Sequence, residues 1–339
     1  MNNFDYVKTT TAQEAVAKKE EAHNSFYVAG GTNLIDLWKY DIEHPEALVD
    51  ISDFNVYKTI EDLGADGVRL GALVSNADTA HHPLIKERYP LLSNTILAGA
   101  SAQIRNSATN GGNLLQRTRC YYFYDKVSPC NKRVPGSGCP AKEGMNRLHA
   151  ILGHSEHCIA TFPSDMCVAL AALEAKVEVT GPKGDRTIAF EDFHTLPGDT
   201  PDIENTLGKN ELITAIVLPP EGYADNYSYL KLRDRNSYAF ALVSVATGMK
   251  LNAGKIEKIR IALGGVAHIP WRNKEVENFL QGKSPTPENF KQAAEMMVEG
   301  AVGFEHNSFK IEATKRALVR NCIMALDPST QRPGAKPSL

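Results

Sequence analysis

The residues with the clearest chemistry in this chain are its thiols. Five of the six cysteines fall in one stretch, Ala100 to Cys167: Cys120, Cys130, Cys139, Cys158 and Cys167. The first four stand among residues that break helix and strand. Pro129 precedes Cys130, Gly138 precedes Cys139 and Pro140 follows it, which leaves these thiols free to converge on one point. Cys167 differs, because it sits on a helical pattern among Met166, Val168, Ala169 and Leu170 and reads as core. Cys322 lies among apolar residues of the last helical segment and reads the same way.

Four converging thiols have a short list of uses. Disulfides need an oxidising compartment, and the N-terminal stretch MNNFDYVKTTTAQEA shows no apolar run of the signal-peptide kind. Structural zinc usually takes close C-x2-4-C pairs, whereas nine, eight and eighteen residues separate these four. An iron–sulfur cluster tolerates such spacing, since a cubane offers four separate irons to four thiolates. Between Arg117 and Arg147 there are seven Lys or Arg against two acids, Asp125 and Glu143. That local excess suits a buried anionic centre in a chain of net charge −3. A metal centre is therefore the expectation, with free structural thiols as its alternative.

A second constellation is the segment AGGTNLID, Ala29 to Asp36, entered from a strand over Ser25–Val28. Glycines permit positive φ and close approach of backbone to a ligand. Consecutive N–H groups then form a nest for phosphate oxygens, with Thr32 and Asn33 able to add donors. The spacing is not G-x-G-x-x-G, which excludes a Rossmann reading, and an ordinary tight turn is the alternative. Asn106 to Asn113 reads as another loop rich in amide donors. Two such loops suggest one extended anionic ligand between them. Asp165, in the first turn of a helix expected over Pro163–Glu174, either caps that helix or accepts hydroxyls of a sugar-like ligand.

These residues need a scaffold. The 339 residues, 42% hydrophobic and 23% charged, describe an ordinary globular chain long enough for two domains. No apolar run approaches the ~20 residues of a membrane helix, no repeat is visible, and no basic excess marks a nucleic-acid partner. Strands are expected at Phe4–Lys8, Ser25–Val28, Ala47–Ile51, Val56–Ile60, Val68–Leu70, Ile159–Phe162, Lys176–Thr180, Thr187–Phe190 and Leu212–Leu218. A helix with a capping box begins at Thr11. Pro219-Pro220-Glu221-Gly222 reads as a linker. Beyond it, strands over Tyr227–Leu232, Ala241–Leu251 and Lys255–Gly264 precede helices over Pro270–Gln281, Thr286–Gly300 and Ser308–Leu326, an α+β arrangement. The tail 327–339, rich in Pro and Ser, reads as disordered. No Ser-His-Asp set or carboxylate pair stands out, which fits a protein whose chemistry belongs to a cofactor.

AGGTNLID, GALVSNAD (Gly71–Asp78), the loop from Arg105-Asn106 to Asn113, PSDM (Pro163–Met166) and GGVAHIPWR (Gly264–Arg272) together resemble the flavin subunit of the xanthine dehydrogenase family of molybdenum hydroxylases. With its four-Cys insertion the chain is similar to the branch of periplasmic aldehyde oxidoreductases, whose flavin subunit carries an extra 4Fe-4S cluster. The resemblance implies a p-cresol methylhydroxylase-type FAD-binding domain over 1–222, with lobes of about 1–54 and 55–222 and a cluster insertion of about 117–158. A smaller α+β domain of the CO dehydrogenase flavoprotein C-terminal type would follow over 223–326 and cover the flavin. It implies an FAD pyrophosphate on Ala29, Gly30, Gly31, Thr32, Asn33, Leu34, Ile35 and Asp36 and on Thr109 and Gly112. Asn113, Thr118 and Asp165 would meet the ribityl and adenosine part, with Lys231 near the ring and Tyr238 packed on it. Cys120, Cys130, Cys139 and Cys158 would hold the cluster, and no catalytic residue is expected on this chain. Partners would be a large molybdopterin subunit and a small subunit with 2Fe-2S clusters in a heterotrimer, with an external acceptor taking the electrons. Aldehyde would be oxidised at molybdenum, and the complex would reach the periplasm on a partner's signal, or else stay cytoplasmic. The alternatives are the flavin subunit of a hydroxybenzoyl-CoA reductase or xanthine dehydrogenase type, a self-sufficient flavin oxidase, and a non-catalytic zinc module.

Overall fold

A computed structural model of the chain describes residues 2–331. The first lobe is a parallel three-stranded sheet. Strand β1 (Asp5–Lys8) leads to helix α1 (Ala12–Glu21), then to β2 (Ser25–Val28), α2 (Leu34–Lys39) and β3 (Ala47–Asp50). The order β1-β3-β2 puts β3 in the centre, and its Ala47, Leu48 and Val49 are all buried, as a central parallel strand requires. Ala12, Ala15 and Val16 of α1 are buried, and the first two pack with Val49 and Ile51. Thr11 caps α1 by accepting the Glu14 N–H, and the Glu14 carboxylate reaches back to the Thr10 N–H at 2.8 Å, one residue earlier than a standard capping box.

The second sheet is antiparallel, in the order β4-β5-β8-β6-β7. Its strands are β4 (Ile60–Asp62), β5 (Val68–Gly71), β6 (Lys176–Gly181), β7 (Gly184–Ala189) and β8 (Leu212–Leu218). Between β5 and β6 the chain leaves the sheet. It forms α3 (Asn76–His81), α4 (Pro83–Arg88), α5 (Pro90–Ala98), α6 (Ala102–Ser107), α7 (Asn110–Leu114) and α8 (Tyr121–Tyr124), runs through the cysteine segment, and returns by α9 (Asp165–Ala172). Every residue of α9 from Met166 to Ala172 is buried, because the helix packs against α5 on one side and the next sheet on another. A helix apolar all round is buried all round, and Cys167 belongs to that core as expected.

The third sheet, β12-β11-β10-β9, is also antiparallel: β9 (Tyr227–Leu232), β10 (Val243–Asn252), β11 (Lys255–Gly264) and β12 (Trp271–Arg272). Helices α10 (Lys274–Leu280), α11 (Pro287–Met297) and α12 (Phe309–Leu326) follow. Cys322 is fully buried there with Leu318 and Ala325. Arg272 ties this sheet to α9, with bonds of 3.0 and 2.7 Å to Glu277 and 2.9 Å to the Ala171 carbonyl.

Several expectations are corrected. Residues Asn55–Tyr57 curl into a 3-10 turn, so the hairpin strand starts at Ile60 and not at Val56. Ile159–Phe162 forms no strand, since its backbone bonds go to two unrelated partners, Ala150 and Ala267. The loop expected from Asn106 to Asn113 is largely helical, as the end of α6 and the whole of α7. Trp271 and Arg272 pair with Leu263 and Ala262 as a strand, so helix begins only at Lys274, capped by Asn273. The linker expected at Pro219–Gly222 does run between the second and third sheets, and it is packed rather than loose: Tyr89 Oη donates to the Pro219 carbonyl at 2.7 Å. In the tail, Pro328–Gln331 form a 3-10 turn, and the disorder expected for 332–339 lies outside the described residues.

His194 sits in the core against Phe162, Phe193 and Phe190, with Nε2 3.0 Å from the Leu114 carbonyl. Burial lowers its pKa from 6.5 to about 4. The unfolded chain therefore binds this proton before the folded one does, and stability falls as pH drops from about 6.5 toward 4. The shift corresponds to about 3 kcal/mol. His194→Gln, which keeps a donor for the carbonyl, is expected to flatten that part of the stability–pH curve, measured by urea unfolding at stepped pH.

Candidate functional site

The turn that follows β2 faces a cavity of about 910 Å³, at the large end of ligand pockets. Ala29, Gly30, Gly31, Thr32, Asn33, Leu34 and Asp36 line it, as do Thr109, Gly112, Asn113, Asp165, Lys231 and Tyr238. Most of the residues expected at the site are thus brought to one space from three separate regions of the chain. Gly31 has φ +69°, and a Cβ on Gly30 would fall onto the Ser107 carbonyl, so the turn touches the end of α6. Ser107 Oγ adds a bond to the Gly30 carbonyl at 2.9 Å. Among the described residues, no acceptor takes the N–H groups of Gly30, Gly31, Thr32 or Asn33. They remain available to an anion, which is the property the glycine turn was expected to supply.

The second expected loop behaves differently. The N–H groups of Asn110 and Gly111 go to the carbonyls of Val74 and Ala72, and that of Gly112 goes to Thr109 Oγ1. Those amides are spent on structure, so this segment shapes the cavity wall and is no second nest. Asn113 is likewise engaged: its Nδ2 donates to Asn76 at 2.7 Å, and its Oδ1 accepts from Ser164 at 2.6 Å.

Two expected contacts lie elsewhere. Ile35 is not on the cavity wall; its side chain folds over Gly31, where a Cβ would collide with it. Thr118 is buried, accepts the Cys120 N–H at 3.3 Å, and lines a small neighbouring cavity instead.

Asp165 is more constrained than its place in a first helical turn suggests. Its two oxygens accept from Tyr229 Oη at 2.5 Å and from Lys231 Nζ at 2.7 Å, and Lys231 also donates to the Ala98 carbonyl at 3.2 Å. The pair is nearly dry, with side-chain exposures of 5% for Lys231 and 10% for Asp165. Burial, reinforced by the Asp165 charge, pushes the Tyr229 phenol well above 10, so it stays a donor. Tyr229 was missed in the sequence, although it and Lys231 alternate on β9 and so share one face. Arg105, whose Nη1 donates to the Gly99 carbonyl at 2.6 Å, and Phe240 also line the cavity and were missed. Tyr238, with φ +51° and its ring under the Arg235 guanidinium at 5.6 Å, is exposed at the cavity mouth.

The four expected ligand cysteines are all free thiols. Among the described residues no group of three or more His, Cys, Asp or Glu is closed around a metal position. Their titrations nevertheless influence one another. The Cys139 thiol is pushed down by its neighbour Cys158 and by the N–H groups of Ile159, Ala141 and Lys142, while the Cys158 thiol is driven upward. Burial raises Cys120 to about 12, and the charges of Cys130 and Cys139 add to that.

The compensating cations counted in the sequence are otherwise employed. Arg117 pairs with Glu43 at 2.6 Å and with Glu204, Arg119 with Asp36, Lys126 with Asp41, and Lys132 with Glu204 at 2.9 Å. Lys142 pairs with Glu156 and Arg147 with Asp234, while Arg133 donates to the carbonyls of Tyr122, Asp125 and Ser128. The positive excess is real along the chain and neutralised in space.

Cys120, His149, Asp165 and Phe240 are among the residues lining a small cavity of about 20 Å³, room for one water. His149 Nε2 lies 3.1 Å from Cys120 Sγ. Phe240 and Asp165 also line the large cavity, so the two cavities share these residues.

Fold and site define a flavoprotein of the molybdenum hydroxylase class. The model of the FAD binding domain in molybdopterin dehydrogenase matches residues 2–221, and that of the CO dehydrogenase flavoprotein C-terminal domain matches residues 227–305. The chain belongs to this family, as an FAD-binding electron-transfer subunit of a molybdenum-dependent oxidoreductase. It is 47% identical over 320 residues to the aldehyde oxidoreductase FAD-binding subunit PaoB of Escherichia coli, covering 94% of this chain and 96% of that one. It is 28% identical to the glyceraldehyde dehydrogenase medium chain of Sulfolobus acidocaldarius, covering 86% of this chain and 85% of that one. Among solved structures, the carbon monoxide dehydrogenase of Hydrogenophaga pseudoflava matches with a TM-score of 0.75 at 24% identity, covering 96% and 97% of the two chains, and so shares the fold.

Gly30→Val is expected to purify flavin-poor, because the new side chain would drive the glycine turn away from Ser107. Loss of a ligand that binds only the folded state also lowers stability, by about 2.7 kcal/mol where free ligand stood at 100 times its dissociation constant. Flavin absorbance per chain and the thermal midpoint, with and without added FAD, check both effects. Full flavin with an unchanged midpoint would make the turn merely structural.

Proposed function

We propose that this chain relays electrons between the molybdenum side of an aldehyde oxidoreductase and an external acceptor. The observation that carries the reading is the 47% identity, over nearly the full length, to an aldehyde oxidoreductase FAD-binding subunit, together with four free thiols, one of which, Cys120, lines the small cavity next to the flavin-type one. The second relative, also named for an aldehyde substrate, supports the same class. When bound, FAD supplies exchange between one-electron and two-electron carriers, and a 4Fe-4S cluster on Cys120, Cys130, Cys139 and Cys158 supplies one-electron storage.

The chain's own residues do the rest. The free amides of Gly30 to Asn33 bind the pyrophosphate. Lys231, fixed by Asp165 and Ala98, keeps a cation on the cavity wall, and Tyr229 holds Asp165 in place. Tyr238 and Phe240 close the mouth against water. In this proposal the aldehyde is activated off this chain. That step belongs to a large molybdopterin subunit, reached through a small subunit with 2Fe-2S clusters, in a complex exported to the periplasm with a partner.

Cys120→Ser, Cys130→Ser, Cys139→Ser and Cys158→Ser are each expected to lose iron and sulfide, while Cys167→Ser and Cys322→Ser keep them. Full iron in two or more of the first four would remove the cluster assignment. Division of labour is tested on the isolated chain reduced with dithionite. An artificial acceptor should reoxidise it, and aldehyde added anaerobically should bleach neither flavin nor cluster. Bleaching by aldehyde in the proven absence of molybdenum would make this chain the catalyst.

A further inference from the structure

Seven Lys or Arg side chains line the large cavity, and most of them are already engaged. Arg117, Arg119 and Lys231 pair with carboxylates, while Arg105 and Arg235 donate to main-chain carbonyls. Lys19 and Lys209 remain. Lys19, on α1, is half-buried, donates to the Ser25 carbonyl at 2.5 Å and lies over the rings of Phe26 and Tyr27 at 5.7 and 5.1 Å. An ammonium carries three donors, so that single bond leaves Lys19 with capacity to spare. Lys209 is exposed and has no carboxylate partner among the described residues. The carboxylates beside these lysines in the chain are taken: Glu20 accepts from Asn210, and Glu211 pairs with Arg186. Burial, and then the charge of Lys209, lowers the Lys19 pKa to about 8, so the two ammonium groups act on one another. The arrangement is held in place. Tyr27 Oη donates to the Asn210 carbonyl at 3.0 Å and Asn210 Nδ2 to Glu20 at 3.1 Å, which pins the turn carrying Lys209 to the first lobe. Glu211 accepts the Gly208 N–H at 2.6 Å on the other side of that turn. Tyr27, Ile51, Leu212 and Ile213 give the same cavity apolar wall.

We propose that Lys19 and Lys209 are specificity-determining residues that hold the adenylate half of the dinucleotide and so make this cavity select FAD over FMN. The inference rests on the reading of the cavity as an FAD site. Adenine has apolar faces and ring nitrogens on its edge that accept hydrogen bonds. Aromatic and aliphatic walls suit the faces, and ammonium donors suit the edge. The adenylate phosphate also brings negative charge towards two cations that lack it. Position agrees with chemistry. Tyr27 stands three residues before Gly30, so a pyrophosphate on the amides of Gly30 to Asn33 keeps its adenosine within reach of this wall. Lys231 and Tyr238, from the C-terminal domain, furnish a different part of the cavity, which leaves that part for the flavin ring. FMN ends at its first phosphate and cannot use either lysine.

The test uses the full chain expressed with its partner subunits and stripped of flavin, with Lys19→Met, Lys19→Arg and Lys209→Ala. Dissociation constants for FAD and FMN are read from flavin fluorescence, and ADP is measured as a competitor of FAD. Lys19→Met, which keeps the apolar stem, is expected to weaken FAD and ADP about tenfold, the usual worth of a hydrogen bond to a charged group, and to leave FMN unchanged. Lys19→Arg should keep most of the FAD affinity. Lys209→Ala should cost FAD less, and only at low salt, because at about 1 M salt charges are screened beyond about 3 Å. Equal losses for FAD and FMN in Lys19→Met overturn the assignment, since the lysine would then act on the turn or the fold, and so does unchanged FAD binding. If Lys19→Met does not fold, Lys209→Ala decides: a salt-dependent loss for FAD absent for FMN supports the pair, and no loss overturns it. A parent protein that binds FMN as tightly as FAD overturns the adenylate seat, whereas a parent that takes up no flavin overturns the FAD reading itself.

Discussion

The site depends on one buried carboxylate. Asp165 opens α9, a buried helix packed between α5 and the third sheet, and its side chain reaches across to β9 of the C-terminal domain. A dry ion pair is a poor source of stability, because desolvation offsets most of the Coulomb gain. It is a good source of geometry. With Tyr229 on one oxygen and Lys231 on the other, the carboxylate fixes the position of β9 relative to the FAD-binding lobes, and a lysine on the cavity wall comes with it. Removing Lys231 would leave the Asp165 charge buried without its partner, which is far more costly than the pair is beneficial. The covering domain is thus locked to the cavity by the same atoms that furnish it.

The cysteine segment obeys a different constraint. Thiolates from four separate positions can meet only if the chain between them abandons regular structure, and the residues from Cys120 to Cys158 contain one turn of helix and one 3-10 turn. Such a loop must satisfy its backbone by other means. Asn131 does much of this: its N–H goes to the Gly138 carbonyl, its Oδ1 takes the Gly138 N–H at 2.8 Å, and its Nδ2 reaches the His157 carbonyl at 2.8 Å. Gly138, at φ +113°, gives the turn into Cys139 a conformation that a side chain would resist. The cations of the segment then staple it outward to Asp36, Asp41, Glu43, Glu204 and Asp234, so the loop is anchored to both domains.

Much of this was legible in the sequence, because the informative signals were local. The glycine turn, the Thr11 cap, most strands of the three sheets and the separation of Cys167 and Cys322 from the other thiols follow from neighbours a few residues apart. What was not legible was pairing at long range. The seven cations near the cysteines read as counter-charge for an anionic centre, since nothing in the chain says that Glu204 lies beside Arg117. Asn106–Asn113 read as a donor-rich loop, since its glycines and amides give no sign that Val74 and Ala72 consume the N–H groups. Ile159–Phe162 has the composition of a strand but meets no single strand to pair with. Tyr229 stands between these cases: its alternation with Lys231 was visible, and its partner Asp165, far earlier in the chain, was not.

The two centres the residues imply are joined by more than proximity in sequence. Thr118, which lines the small cavity, accepts the Cys120 N–H and fixes the backbone at that cysteine. Ser164 caps α9 through the Cys167 N–H while donating to Asn113, so the helix that carries Asp165 is indexed to the cavity wall. Phe240 belongs to both cavities and carries the Arg119 guanidinium over its ring at 5.2 Å. These contacts tie the segment around Cys120 to the wall of the large cavity. For an FAD-binding electron-transfer subunit that matters, because a cavity wall held from behind keeps its shape whether or not a ligand fills it.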